Sequence, residues 1–140
     1  MAESDMHRKG MATRRRTLGA AYVDKAQAAK TPFDADFQTL ITEAAWGHVW
    51  SRDTISPRER SMMTLALLAG LGNFEELALH TRATANTGAT PDDIMEAMLH
   101  VAIYAGVPRA NHAIKIVKQV LAEMYGADMK VAETDREKTR

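Results

Sequence analysis

The sequence predicts an all-α protein, and three observations support this prediction. Apolar residues recur at helical spacing along most of the chain, as in the stripe between Phe33 and Ala45. Three segments begin with Ser or Thr followed by Pro, which is typical of helix N-termini, at Thr31, Ser56 and Thr90. No segment shows convincing alternation of apolar and polar residues, so no strand is predicted.

The first part of the chain is predicted to hold two helices after a basic N-terminal segment, residues 1–16. We interpret that segment as a solvated terminus or as the exposed end of a first helix. An alanine-rich, modestly amphipathic helix is predicted from Thr17 to Lys30. A second helix begins with Thr31 as its N-cap and is ended or bent by Gly47, which leaves residues 48–53 as a connecting loop.

Two tryptophans lie near this predicted loop. Trp46 and Trp50 could fill the core, form a subunit interface or provide the wall of a pocket. Core filling suits Trp46 better than Trp50, which leaves Trp50 as a candidate for the pocket wall.

The next helix is predicted from Ser56 to Leu71. Its start is a Ser-x-x-Glu capping box, so Glu59 is interpreted as a cap before it is considered as a catalyst. Beyond its first turns the helix is apolar nearly all round, which predicts burial from several sides. Arg60 is predicted at the solvated end, where its guanidinium could clamp a carboxylate at two points or form a surface salt bridge.

The helix between Asn73 and Thr87 carries the most suggestive pair of residues. Asn73 is a good N-cap, and Gly88 supplies a left-handed stop. Glu76 and His80 are four residues apart and therefore share a helix face. A carboxylate beside an imidazole can act as an acid/base pair, but the same spacing also fits a capping residue and a satisfied core histidine.

Two further helices complete the predicted fold. The first begins at Thr90 and carries His100 and Tyr104 four residues apart, and the second begins at Pro108 and carries His112 in its first turns. Both histidines are interpreted first as hydrogen-bonded structural residues. Residues 127–140 are polar and charged, and we interpret them as a mobile tail.

Composition limits the classes of function. The 140 residues suit one domain, assigned to residues 17–126, and 18 basic against 18 acidic residues give no global case for binding nucleic acid or anionic membranes. The absence of cysteine excludes disulfides, thiol nucleophiles and thiolate metal sites. No secretory signal, membrane-spanning run, phosphate loop or zinc spacing is found, which predicts a soluble cytoplasmic protein. The apolar helices and nine methionines favour a homo-oligomer.

Three blocks in order closely resemble the carboxymuconolactone decarboxylase family. They are VWSRDTISPRERSMMTLALLAGLG, EELALHTRATANTGATPDDI and LHVAIYAGVPRANHA, which lie between Val49 and Leu121. The resemblance implies a helical subunit assembled into a ring-like hexamer. It also implies loss of CO2 from gamma-carboxymuconolactone to give β-ketoadipate enol-lactone in protocatechuate breakdown, without a cofactor or metal.

The resemblance also suggests roles for individual residues. His80 would be the proton donor or oxyanion partner, Glu76 would set its tautomer and charge, and Arg60 would clamp a carboxylate of the lactone. Secondary assignments are Arg52 as an alternative clamp, Trp50 and Tyr104 as walls of a dry cleft, and His100 and His112 as substrate-binding candidates. Related alkylhydroperoxidase-D-like proteins carry Cys-x-x-Cys four residues before the histidine. Asn73 and Glu76 occupy those positions here, which excludes dithiol peroxide chemistry.

Two other classes of function fit the same residues. A different small-acid lyase or isomerase could use the same pocket, because fold and motif do not fix the substrate. A non-catalytic helical assembly or sensor module is the second alternative, in which Glu76 and His80 would only complete a polar network.

Overall fold

The computed structural model describes residues 3–126, and all regular structure within this range is helical, which confirms the predicted fold class. The predicted tail at residues 127–140 lies outside the described residues. The elements are α1 (Asp5–Leu18), α2 (Ala20–Ala29), α3 (Ala35–Ile41), a π-helix (Thr42–Trp50), α4 (Pro57–Leu71), α5 (Phe74–Thr87), α6 (Pro91–Tyr104) and α7 (Val107–Tyr125).

The chain divides into two compact units. The first comprises the described residues up to Arg60 together with Ala83–Gly88, and the second comprises Ser61–Arg82 together with the described residues from Ala89 onward. Helices α4 and α5 therefore each contain residues of both units.

In the first unit, α1 packs closely along the π-helix. A Cβ atom added at Gly10 would collide with the backbone carbonyl oxygen of Thr42, and one at Gly47 would lie 2.7 Å from the Met6 sulfur. Gly47 therefore permits close helix packing, and the prediction that it ends or bends a helix is wrong. Arg14 of the basic segment is buried in α1, so this helix is more than a solvated terminus.

Two predicted helix starts are also wrong in the first unit. The helix predicted from Thr17 begins at Ala20, because α1 continues to Leu18 and Gly19 separates the two helices with φ +95°. The helix predicted from Thr31 begins at Ala35. The Asp34 carboxylate accepts a hydrogen bond from the Thr31 N–H at 2.8 Å and holds residues 31–34 in a turn before the helix.

The predicted loop at residues 48–53 is helical as far as Trp50. The Thr42 hydroxyl donates to the Gln38 carbonyl at 2.7 Å where the chain passes from α3 into the π-helix. At the other end, the Ser51 hydroxyl donates to the Trp46 carbonyl at 2.6 Å. Trp46 is buried, as its interpretation as a core residue predicts.

The predicted Ser56–Glu59 capping box is confirmed, and the predicted helix start at Thr90 proves to hold a second box. The Ser56 N–H donates to the Glu59 carboxylate at 3.0 Å, and the Glu59 N–H donates to the Ser56 hydroxyl at 3.1 Å. The hydrogen bond from the Ser56 backbone is the main cause of the lowered pKa of Glu59. Thr90 and Asp93 form the same reciprocal pair at the start of α6.

The second unit has a core built from α4, the first part of α5, α6 and α7. Its fully buried side chains include Leu65, Leu77 and Met98. The prediction that α4 is buried from several sides is wrong in the single chain, because Met63, Leu67 and Leu71 form an exposed apolar stripe along it. This stripe leaves apolar surface available for contact with another molecule.

The close packing of α1 on the π-helix gives a stability prediction. Gly10→Ala should lower the free energy of unfolding by about 1–3 kcal/mol, because the new methyl group overpacks against backbone that cannot move aside freely. The measurement is urea unfolding followed by circular dichroism at a fixed protein concentration.

Gly70→Ala is the matched control. Gly70 also lies inside a helix, but its added Cβ would lie 3.4 Å from the Ala105 Cβ, an ordinary contact. This variant should unfold at an unchanged free energy or up to about 1 kcal/mol higher. Equal effects of the two substitutions would contradict the packing argument.

Candidate functional site

The candidate chemistry on α5 centres on His80, which follows the fully buried Leu77 and precedes the fully buried Thr81. The imidazole itself is largely buried, and this burial lowers the pKa of His80 to about 4. The ring is therefore neutral near pH 7. A neutral imidazole has one nitrogen that can donate a hydrogen bond and one that can accept.

Glu76 lies one turn before His80, on the first turn of α5. Its side chain is at an exposed position. The helix begins at Phe74, directly after Asn73, and stops before Gly88 with φ +86°, so both predicted ends are confirmed.

Arg60 differs from its predicted setting. It was predicted at a solvated helix end, but its side chain is only 9% exposed. Its Nη2 donates to the Arg52 carbonyl at 3.0 Å, while its buried Nε has no hydrogen-bond partner among residues 3–126. The burial of Arg60 does not fit the interpretation as a surface salt bridge.

Arg52 and Trp50 belong to the same unit as Arg60. The Arg52 side chain is exposed, and the contribution of this residue is the backbone carbonyl that orients Arg60. Trp50 packs against Trp46 with ring centroids 5.2 Å apart and a tilt of 38°. It also lines a cavity of about 60 Å³, well below the roughly 300–1,000 Å³ of ordinary ligand pockets.

The other walls of this small cavity were not found from sequence. They include residues of α1, which the sequence did not predict as a packed helix: the lining residues besides Trp50 are Thr13, Arg16, Thr17, Pro57, Asn86 and Thr87. Thr13 and Ser51 share a hydrogen bond of 2.6 Å beside it, and the Asn86 amide donates to the Thr17 carbonyl at 2.9 Å.

His100 and Tyr104 are brought together on α6. Their rings stack with centroids 6.1 Å apart and an interplanar angle of 13°. Both line an open groove of about 330 Å³ between α4 and α6, whose other lining residues are Ala66, Leu67, Gly70, Leu71, Val101 and Ala105. We call this the α4–α6 groove. Its lining is predominantly apolar.

His112 has a separate setting on α7. Its ring stacks on Phe74 with centroids 4.2 Å apart and an interplanar angle of 28°. It is not among the residues that line the α4–α6 groove. Both His100 and His112 lie at exposed positions with an aromatic neighbour.

The described residues contain no group of three or more His, Asp or Glu placed to hold a metal ion. Within the same range, none of the helices combines the length and the apolar character that crossing a membrane would require.

Residues 3–126 form an all-α fold in which α4 carries the buried guanidinium of Arg60 and α5 carries the largely buried imidazole of His80. Residues 35–119 match the model of the carboxymuconolactone decarboxylase family. The chain belongs to this family, which confirms the resemblance of the three sequence blocks.

Two curated relatives extend the match over nearly the whole chain. A 4-carboxymuconolactone decarboxylase of Acinetobacter baylyi is 36% identical over 131 residues, covering 94% of this chain and 98% of the relative. A nitrosuccinic acid decarboxylase of Metarhizium robertsii is 40% identical over 124 residues, covering 86% of this chain and 87% of the relative. Both relatives are named as decarboxylases.

The buried imidazole gives a pH prediction. The pKa of His80 is about 4 in the folded chain, against an ordinary value of 6.5. As the pH falls, the imidazole is therefore protonated in the unfolded chain before it is protonated in the folded chain. Stability should therefore fall as the pH drops from 6.5 towards 4, by up to about 3 kcal/mol from this residue.

The measurement is urea unfolding of the native protein and His80→Gln at several pH values across this window. Glutamine keeps hydrogen-bonding capacity and cannot titrate, so the variant should lose less stability on acidification. Parallel pH dependences for the two proteins would show that His80 is not buried as a neutral ring.

Proposed function

We propose that this protein catalyses the cofactor-independent decarboxylation of gamma-carboxymuconolactone to β-ketoadipate enol-lactone in the breakdown of protocatechuate. The observation that carries the proposal is the end-to-end relationship to a named 4-carboxymuconolactone decarboxylase, at 36% identity over 94% of the chain. The family match covers the same region.

The substrate itself can accept the electrons of the reaction. The carboxylate that leaves is attached to the ring carbon that bears oxygen, next to a C=C bond conjugated with the lactone carbonyl. When the C–C bond to CO2 breaks, its electron pair moves through that double bond and forms a dienolate with negative charge on the carbonyl oxygen. Protonation of the carbon next to the carbonyl then gives the enol-lactone, so the proposal includes no cofactor or metal.

His80 is assigned to the oxyanion in this proposal. With a pKa of about 4, only about one molecule in a thousand carries an imidazolium at pH 7. A neutral imidazole is a poor source of a full proton, but its N–H is a good hydrogen-bond donor to a developing oxyanion. Preorganised donors of this kind are typically worth about 3–4 kcal/mol of transition-state stabilisation.

Glu76 is proposed to set the tautomer and charge environment of His80. Its position one turn earlier on α5 supports this role, since residues four apart on a helix are neighbours. Its exposed carboxylate can also exchange protons with solvent.

Arg60 is proposed to clamp a substrate carboxylate. Support comes from its burial, from the single carbonyl that orients its Nη2, and from a buried Nε that has no acceptor among the described residues. Arg52 remains the weaker alternative for this role, because its own side chain is exposed. Trp50, which belongs to the same unit as Arg60, is proposed to help exclude water from the substrate.

The proposal includes a cytoplasmic homo-oligomer, with a ring-like hexamer as its form. The exposed apolar stripe of Met63, Leu67 and Leu71 on α4 supports association, because an isolated chain gains from covering such surface.

A second substrate is favoured by a specific observation, the 40% identity to a nitrosuccinic acid decarboxylase. Nitrosuccinic acid can lose CO2 by the same logic, because the electron pair moves into the nitro group and forms a nitronate. Both substrates also share a succinate frame, in which the carbon that loses CO2 is joined through CH2 to a carboxylate that stays. We therefore propose that Arg60 binds the carboxylate that stays.

The roles on α5 give an activity prediction. His80→Ala should lower kcat by about 10²–10³-fold with a smaller change in KM, because its hydrogen bond strengthens only in the transition state. Glu76→Gln should lower kcat by about tenfold or more. The assay follows loss of freshly generated gamma-carboxymuconolactone and formation of the enol-lactone by absorbance, without added cofactor.

The matched control is His48→Ala, which removes an exposed imidazole from the π-helix and should leave turnover unchanged. Folding of each variant is checked by circular dichroism and urea unfolding. Near-normal turnover by a folded His80→Ala variant would refute the proposed role of His80. A well-folded native protein that does not turn over gamma-carboxymuconolactone would refute this compound as the substrate.

The assignment of Arg60 gives a prediction about substrate recognition. Arg60→Lys should lower kcat/KM for the lactone by about 10²-fold, because lysine cannot reproduce the two-point geometry. Blocking the retained carboxylate as a methyl ester should have a similar effect on the native enzyme. If Arg60 binds the retained carboxylate, the substitution and the esterification remove the same contact. Their effects on kcat/KM should then not add when the two changes are combined.

Arg82→Lys is the control, because Arg82 forms an exposed ion pair with Glu123 at 3.3 Å. The same set is measured with 2-nitrosuccinate and its corresponding ester. Additive effects of Arg60→Lys and esterification would show that Arg60 does not bind the retained carboxylate.

A further inference from the structure

An unusual exposed surface lies at the start of α3. Phe33 is 97% exposed in the turn before the helix, and Phe37 and Leu40 follow on α3 with more than half of each side chain exposed. We call these three residues the α3 ridge. Two phenylalanines and a leucine in solvent lack the hydrophobic stabilisation that burial against another surface would provide.

The α4–α6 groove is a second unpartnered apolar surface, and it is concave. Leu67 and Leu71 on one wall are 62% and 69% exposed, and Tyr104 on the other wall is 84% exposed. None of the residues that line it is Lys or Arg.

We propose that the α3 ridge of one copy docks into the α4–α6 groove of a second copy. A convex aromatic ridge and a concave apolar groove of about 330 Å³ are complementary in shape and polarity. Because the two surfaces differ, the contact is heterologous, the type that generates rings when the rotation closes. This inference rests on the homo-oligomer in the proposed function and names the surfaces that form it.

Charge at the edges of the two surfaces supports the same pairing. Asp36 is exposed directly before Phe37 in the ridge. The Arg109 guanidinium lies against Gly72, next to Leu71 at one end of the groove. An acidic residue beside the ridge and a basic one beside the groove favour this contact over ridge-to-ridge contact. His100 and Tyr104 then become subunit-interface residues that another copy covers.

The absence of cysteine makes a direct test possible. Two singly substituted full-length chains are prepared, Phe37→Cys and Leu67→Cys, one of them isotope-labelled. They are mixed under conditions that exchange subunits and treated with a short bis-maleimide. Each chain holds one thiol, so any cross-link joins different copies, and mass spectrometry identifies the pair.

The expected result is cross-linking mainly between the two different variants, with at least about tenfold less in either variant alone. Tyr22→Cys mixed with Leu67→Cys is the control, because Tyr22 is an exposed side chain on α2 outside both surfaces. Strong cross-linking of Leu67→Cys alone would overturn the proposal in favour of groove-to-groove contact. Equal cross-linking in the control would also overturn it.

A second measurement separates this inference from the oligomer itself. Light scattering after size exclusion should show an oligomer for the native chain and a smaller species for Phe37→Asp and for Leu67→Asp, but not for Tyr22→Asp. A native monomer at micromolar concentration would refute the oligomer and this interface together. An oligomer that both aspartate variants leave intact would refute the interface alone.

Discussion

The burial of ionisable side chains is the main physical constraint on the candidate residues, and an imidazole and a guanidinium respond to it differently. A buried imidazole avoids the cost of desolvation by releasing its proton, and His80 does so, with a pKa lowered to about 4. A buried guanidinium instead needs hydrogen-bond acceptors for its N–H groups. The structure supplies the Arg52 carbonyl for Nη2 of Arg60, while the buried Nε has no acceptor among residues 3–126.

This asymmetry matches the demands of the proposed reaction. When the electron pair moves to an acceptor within the substrate, an oxygen of that acceptor becomes negative and needs a hydrogen-bond donor. The N–H group of a neutral imidazole can supply this donor. The reaction also needs a fixed positive charge to hold the carboxylate that stays. The acceptor can be a conjugated lactone or a nitro group, because the electrons move to oxygen in both. Chemistry of this kind is consistent with two relatives that act on different acids.

Local sequence signals identified the helices whose starts depend on residues three apart, such as the Ser56–Glu59 and Thr90–Asp93 boxes. They failed where a distant contact decides the conformation. Gly47 resembles a helix breaker in sequence, but it is required because α1 packs against it, and residues 48–50 continue as a π-helix. The roles of Arg60 could be suggested from the family resemblance, but its burial and its carbonyl partner follow from the fold alone.

Apolar periodicity predicts which residues share a face, but not whether that face turns inward or meets another chain. The stripe that begins at Phe33 has the spacing of a core-facing helix, yet Phe33, Phe37 and Leu40 are exposed. The same is true of Leu67 and Leu71 on α4. A single chain of 140 residues has limited interior volume, so side chains beyond that capacity are stabilised only by association. The exposed apolar side chains of α3 and α4 therefore support the proposed association of copies, because association would remove them from water.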